Sequence, residues 1–200
     1  MPTERVLLRT ITSPVGELLA GVAEPIDPNE GPRLCLLEFA SQPRLSKAHQ
    51  DLARLLACRI ETESETESGT PAAALLDETQ QQLDEYFAAS RRTFDLPLLL
   101  PGTPFQQKVW HALTQIPFGV AISYHELARR VASTPRAVGG ANRANRVPIL
   151  VPCHRVIGAD GSLTGFGGGI RNKQRLLELE GALTPQLFCS TRNPNNEPLA

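Results

Sequence analysis

Apolar positions come in short runs through the first forty residues and then change period. Residues 5–12 are β-branched and apolar, residues 17–23 and 33–40 repeat that character, and the intervals between them are turn-like. Ser13-Pro14-Val15-Gly16 supplies one turn and the polar stretch 25–32 the other. Three strands joined in this way predict an antiparallel sheet. From residue 46 the period is helical, with Leu52, Leu55 and Leu56 on one side of a helix over 46–59. Residues 61–70 are acidic and rich in Ser and Thr, the composition of an exposed loop. A second helix is expected over 75–91, with Leu83, Tyr86 and Phe87 at helical spacing, then a short extended segment over 94–100. Pro101-Gly102 marks a boundary.

Beyond that boundary the helix starts are sharply signalled. Thr103-Pro104-Phe105-Gln106 has an N-cap, a proline at the first helical position and a Gln three residues after the cap. Phe105, Val109 and Leu113 continue it as one apolar stripe, with Trp110 beside it as a core residue. Ser123-Tyr124-His125-Glu126 reads as a second capping box, opening a short helix through Ala132. Thr134-Pro135 opens another, Pro135 to Arg143. Two short helices joined by a tight turn, the second one basic, resemble a helix-turn-helix. The second helix is slim: Gly139 and Gly140 each cost roughly 1 kcal/mol relative to Ala in a helix interior. Either the backbone must approach a minor groove closely or it packs tightly on a neighbouring helix; the two readings stand level. A last helix is expected over 170–180, stopped by Gly181.

Charge sharpens the division between the halves. The whole chain carries a net charge of −1. Residues 1–100 hold nine Lys/Arg and sixteen Asp/Glu, a balance of −7, whereas residues 101–200 hold eleven and five, a balance of +6. The basic half alone is compatible with nucleic acid. No apolar run approaches a membrane span, and residues 1–12 lack a signal-peptide core, so a cytosolic address is expected. The four cysteines, Cys35, Cys58, Cys153 and Cys189, are scattered, which favours reduced thiols. His49 and Cys58, nine residues apart, match no zinc spacing, and no metal site is expected.

The candidate chemistry lies at Val151-Pro152-Cys153-His154-Arg155-Val156. A free thiol with a pKa of about 8.5 is mostly protonated at neutral pH, and a neighbouring imidazole is the usual means of activating it. Adjacency in sequence does not by itself make Cys153 and His154 partners. Glu180 falls in the last turn of its helix, where a carboxylate meets the negative end of the helix dipole at a cost of about 0.3–1 kcal/mol. It is either an exposed residue with that field screened or a carboxylate kept to hold an imidazole; periodicity alone favours the first. Gly165-Phe166-Gly167-Gly168-Gly169 cannot form a regular element and predicts a loop that lets a flat ligand or a phosphate come close. No Walker pattern accompanies it.

Pro152-Cys153-His154-Arg155 resembles the signature of the O6-alkylguanine-DNA alkyltransferase family, also called methylated-DNA–protein-cysteine methyltransferases. The likeness runs from Gly102-Thr103-Pro104-Phe105-Gln106 through Ile122-Ser123-Tyr124, Arg136 to Ala141, Asn145 and Val151 to Gly158. It continues over Gly161 to Gly169 and Leu176 to Gly181. The joint spacing over about residues 102–181 is specific where each piece alone is not. Residues 1–100 are similar only in layout.

The resemblance implies an α+β fold. Its N-terminal α/β domain would have a small antiparallel sheet and be ribonuclease H-like; its mostly helical C-terminal domain would hold a helix-turn-helix. Boundaries are expected at 1–92, a connector 93–101, a DNA-binding and alkyltransferase domain 102–182, and a flexible tail 183–200. Cys153 would accept an alkyl group from guanine O6, and with it thymine O4, and keep it. His154, through a water, would be the base, and Glu180 would hold it. Tyr124 would meet a DNA phosphate and protonate O6. Arg136 would fill the stack vacated by a flipped base. Ala137, Gly139, Gly140, Ala141 and Arg143 would complete the contact with the minor groove of double-stranded DNA. Asn145 would brace the turn between the recognition helix and an active-site strand. Val156, through its carbonyl, and Pro152, Phe166 and Gly167 would form the base pocket. The resemblance implies no cofactor, no metal and no membrane partner, and a monomer able to assemble cooperatively along DNA. Phe166 stands where the family often has Tyr and Gly167 where some members have Ser, which removes hydroxyls from the pocket wall. The turn between Tyr124 and Arg136 is also shorter than the family's. Rival readings are a binding-only relative, which would lack the cysteine, a helix-turn-helix regulator with a merely buried thiol, and a cysteine hydrolase.

Overall fold

A computed structural model describes residues 3–27, 29–40, 45–64 and 69–183. The expected tail from residue 184 onward, with Cys189, lies outside them. The three leading strands form as the sequence predicts: β1 (Thr3–Ile11), β2 (Leu18–Pro25) and β3 (Arg33–Phe39). Gly16, at φ +108°, closes the first turn by donating from its N–H to the Ser13 carbonyl at 3.0 Å.

The sheet is not purely antiparallel, as expected, but mixed. A fourth strand, β4 (Arg59–Thr62), follows α1 (Leu45–Leu56) and pairs parallel to β1, giving the order β3-β2-β1-β4. The sequence instead predicts Arg59 as the end of the first helix and Glu61 and Thr62 as part of the acidic loop. The helix stops earlier because Ala57 adopts φ +50°. The strand is short, at the sheet edge and charged, features that blunt an edge against further pairing. Arg5 reaches Glu61 at 3.0 Å, and Arg9 pairs with Glu63 just beyond the strand.

Both faces of the sheet are covered. Leu7, Ile11 and Leu18 enter the main core with Leu76, Leu83 and Tyr86 of α2 (Pro71–Phe87). Val6, Leu8 and Leu36 meet Leu52 of α1 in a smaller cluster. That two-sided burial explains why the strands read as apolar runs rather than strict alternation. The second helix starts four residues before its expected position. Thr70 caps it by accepting from the Ala73 N–H at 3.2 Å, and Pro71 takes the first helical position.

The C-terminal half packs α3 (Pro104–Thr114), α4 (Tyr124–Arg130), α5 (Pro135–Arg143) and α6 (Ile170–Leu179) around the same core. The Thr103/Gln106 capping box is complete. At α4 only half of the expected box exists. Ser123 accepts from the Glu126 N–H, while the Glu126 carboxylate pairs with Arg129 and Arg130. Trp110 is core, as expected, and its indole N–H donates to the Ala141 carbonyl at 2.9 Å, tying α3 to α5. The two-residue strands β5 (Ile122–Ser123) and β6 (Val156–Ile157) pair in parallel. This ladder sets the start of α4 beside the chain that leaves Cys153.

Candidate active site

Cys153 does not lie on a strand. It opens a one-turn 3₁₀ helix, Cys153–Arg155, whose three residues are all buried. Asn145 holds the approach to it: its side-chain amide donates to the Val151 carbonyl at 2.8 Å and its oxygen accepts from the Val147 N–H at 3.0 Å. Both arms of this buried amide are therefore committed to the backbone between α5 and the thiol.

Behind the thiol stands a charged cluster around Glu180, which is 5% exposed. Periodicity favoured an exposed Glu180; the structure buries it, because four residues converge on its carboxylate. His154 Nε2 lies 3.0 Å from Oε1. Arg155 forms a two-pronged pair, at 2.8 Å to Oε2 and 2.9 Å to Oε1. Tyr86 donates its hydroxyl to Oε1 at 2.8 Å, and the Gly119 N–H points at Oε2 from 3.4 Å. Burial works to raise the Glu180 pKa, but the hydrogen bonds from His154 and Arg155, with the Arg155 charge, outweigh it and hold it at about 2. Glu180 is thus an anion that can only accept hydrogen bonds.

That anion fixes the histidine. Nε2 of His154 must carry the hydrogen that faces Glu180, so in the neutral ring Nδ1 carries the lone pair. Burial lowers the His154 pKa and keeps the ring neutral. Nδ1 is buried and has no hydrogen-bond partner. The ring is therefore oriented with a free lone pair on Nδ1. The Cys153 thiol, one residue earlier, is not a resting thiolate: burial pushes its pKa up to about 11.

Lys173 completes the electrostatics. Its side chain is fully buried on α6, and its ammonium donates to the Val156 carbonyl and, at 2.6 Å, to the Thr164 carbonyl. Burial lowers its pKa to about 8, opposed by the charge of Cys153. Asn142 donates to the Cys153 carbonyl at 3.3 Å and lies 3.5 Å from the Tyr124 hydroxyl. Burial raises the Tyr124 pKa, so its phenol keeps its proton.

A cavity of about 670 Å³ opens beside this cluster. Tyr124, Gly139 and Arg143 line one side, and Gly165, Phe166 and Gly167 of the glycine loop are also in its wall. Pro152 and Val156, expected in the pocket, are not in that lining. Val156 is fully buried and one lone pair of its carbonyl is taken by Lys173; Pro152 lines a separate cavity of about 230 Å³. Arg136, Gly140 and Arg143 are exposed on α5, Ala137 and Gly139 half-buried, and Ala141 buried against α3. An added Cβ would meet only the Tyr124 ring at 3.9 Å from Gly139, and nothing from Gly140. Tight packing on a neighbouring helix therefore does not explain the glycine pair.

Tyr86, Asn142, Arg155 and Lys173 were not singled out from sequence. Lys173 sits three and four positions before the inward-facing Leu176 and Leu177, so the helical period did place it inward. Asn142 follows the buried Val138 by four. Tyr86 was legible only as a core aromatic, because nothing local marks its hydroxyl as a partner of a residue 94 positions away. Among the described residues no group of three His, Cys, Asp or Glu could hold a metal ion, and no helix is long and apolar enough to cross a membrane.

Fold and site together define a protein with a sheet half and a helical half, in which a buried cysteine is followed by a neutral histidine held by a carboxylate. Comparison with known proteins narrows that class. Residues 104–182 match the family described as "6-O-methylguanine DNA methyltransferase, DNA binding domain", and residues 44–100 match its ribonuclease-like domain. The methylated-DNA–protein-cysteine methyltransferase of Mycobacterium tuberculosis is 42% identical over 180 residues, covering 88% of this chain and 93% of that protein. The constitutive enzyme of Bacillus subtilis is 58% identical over 95 residues, 46% of this chain and 58% of that protein. The crystal structure of M. tuberculosis O6-methylguanine methyltransferase superposes with a TM-score of 0.68 at 38% identity, covering 90% of this chain and 95% of that one. The M. tuberculosis OGT structure in complex with DNA gives 0.66 at 38% identity, over 88% and 93%. The chain belongs to the methylated-DNA–protein-cysteine methyltransferase family.

Proposed function

We propose that this protein repairs DNA by direct reversal, moving an alkyl group from guanine O6 to Cys153. The observation that carries this reading is a neutral, Glu180-oriented His154 in the same buried 3₁₀ turn as Cys153. The Cys153 thiol gives its proton, through one water, to Nδ1 of His154. Sulfur attacks the alkyl carbon, the S–C bond forms, and the O6–C bond breaks. The departing guanine oxygen takes a proton from the Tyr124 hydroxyl, and the proton held by His154 restores Tyr124 through solvent. The products are a thioether and guanine. Among the described residues no group beside Cys153 is suited to cleave a thioether, so each molecule would act once.

The target atom is out of reach in a stacked duplex, so the base must leave the helix at a cost of a few kcal/mol. The exposed Arg136 would fill the vacated stack, and the Gly139/Gly140 face of α5 would lie in the minor groove, where a slim helix comes closest. The 670 Å³ cavity between Tyr124 and the glycine loop would receive the base. Thymine O4 adducts present a similar alkyl–oxygen bond and would be secondary substrates. The reaction requires no cofactor.

The test is incubation with duplex DNA bearing O6-[methyl-³H]guanine. Label should move to protein once per molecule, and Cys153→Ser should abolish transfer while lesion binding persists. Label that stays on DNA with Cys153 intact would overturn the reading. Arg136→Ala should slow repair in duplex more than reaction with free O6-benzylguanine.

A further inference from the structure

The sheet half meets the glycine loop that walls the cavity at an aromatic residue. Phe39, the last residue of β3, is 2% exposed. Its ring meets the Phe166 ring edge-on, with centroids 5.6 Å apart and planes at 78°. It also fills the space beside Gly168 so closely that a Cβ there would stand 2.3 and 2.4 Å from two ring carbons. Both atoms belong to the tip of a ring that is buried and packed against Phe166, so it has little room to swing aside. The glycine at 168 is thus a consequence of Phe39, and loop and ring fit as one packed unit. One further bridge ties the loop to the same half. The Asn172 amide donates both to the Val15 carbonyl at 2.9 Å and to the Gly168 carbonyl at 3.1 Å.

Phe166 and Gly167 line the cavity, and Phe166 lies edge-on to His154, with centroids 6.3 Å apart. Phe39 itself does not line it. We propose that Phe39 sets the position of the Phe166 wall and so decides the size of alkyl group the pocket accepts. This rests on the alkyltransferase reading above. Close-packed interiors pass a volume change to their neighbours rather than absorbing it. A smaller side chain at 39 leaves room into which Phe166 can retreat, widening the pocket. A methyl on residue 168 has the reverse effect, because it drives the loop off the Phe39 ring.

The experiment compares two substrates in one duplex sequence, O6-benzylguanine and O6-methylguanine, as the ratio of transfer rates to the full-length protein. Partial unfolding lowers both rates together, so the ratio is insensitive to a merely structural loss. Phe39→Leu should raise the benzyl-to-methyl ratio by about tenfold, the lower end of what room for one methylene discriminates. Gly168→Ala should lower it, and Phe39→Tyr should keep it near wild type. Wild-type ratios in both Phe39→Leu and Gly168→Ala, with the wild-type protein active on methylguanine, would overturn the role of Phe39 alone. A wild-type protein that transfers neither group would overturn the alkyltransferase reading, and this inference with it.

Discussion

The Tyr86 hydroxyl donates to the Glu180 carboxylate across 2.8 Å, although 94 residues separate the two in the chain. Tyr86 lies on α2 in the sheet half, and Glu180 lies at the end of α6 beside the His154 ring. The same oxygen, Oε1, faces both His154 Nε2 and Tyr86. The sheet half therefore contributes a donor directly to the carboxylate that fixes the His154 ring. Glu180 accordingly joins packing, electrostatics and chemistry in one residue.

Replacing Tyr86 by Phe removes that donor and little volume. Hydrogen bonds to charged acceptors contribute about 1.5–3 kcal/mol. Glu180 keeps Arg155 and His154, so Tyr86→Phe should cost about 1–2 kcal/mol by the same measure. Urea titration checks this as a lower midpoint with an unchanged slope. A midpoint equal to wild type would show that the hydrogen bond makes no net contribution.

The Glu180 cluster should also govern acid stability. His154 is held neutral, below its ordinary value of 6.5, and Glu180 is held at about 2 against an ordinary 4.5. In both cases the unfolded chain binds protons more readily than the folded one, so falling pH draws the equilibrium toward unfolding. The His154 contribution is present above pH 6.5 and fades below it. The Glu180 contribution is present above pH 4.5 and is lost between about 4.5 and 2. Glu180→Gln should lose roughly 3–5 kcal/mol at neutral pH, because Arg155 is left as a buried, unpaired cation. Its remaining stability should vary less with pH below 4.5 than that of the wild type. Denaturant midpoints between pH 7 and 3 test both statements, and parallel curves would contradict the assignment.

How much of this was legible depends on how local each signal is. The caps at Thr103 and Thr134 and the turn at Gly16 are written within four residues, and the sequence predicts them correctly. β4 escapes because its charged edge positions, Arg59 and Glu61, look like loop; only pairing with β1 makes them a strand. Cys153 and His154 stand out by residue type and by family likeness. Their electrostatic states do not, because burial sets them and burial is a tertiary property. Arg155 was visible within the motif, yet its pairing with Glu180 required the fold to bring 155 and 180 together. Tyr86 and Phe39 carry no polar pattern of their own, and their reach into the other half follows only from how the halves pack.

Lys173 should tune the thiol. Its buried ammonium ties the Val156 and Thr164 carbonyls together and lowers the thiol pKa through its charge, against the larger upward effect of burial. Lys173→Met keeps the chain length and removes the charge. It should slow alkylation of Cys153 by iodoacetamide about three- to tenfold below pH 8, a factor of ten corresponding to one pKa unit, and the difference should shrink above pH 8 as Lys173 itself loses its charge. Stability should also fall by about 1–3 kcal/mol, as carbonyls lose their donor. Mass spectrometry of the labelled protein reports the rate at Cys153 specifically. An unchanged pH–rate profile would remove Lys173 from the activation of the thiol.

Gly140 separates stability from binding more cleanly than any residue of the site itself. It lies inside α5 with ordinary helical backbone, it is exposed, and a Cβ added there touches nothing. An exposed helical glycine costs about 1 kcal/mol relative to alanine, so Gly140→Ala should raise stability by roughly 0.5–1 kcal/mol. If the slim face of α5 enters a minor groove, the same methyl must meet DNA, and affinity for duplex should fall. Denaturant titration and fluorescence anisotropy on a labelled duplex measure the two effects on one sample. A gain in stability with a loss of affinity is the result expected of a surface shaped for DNA. A gain in stability with unchanged affinity would move the minor-groove contact away from Gly140.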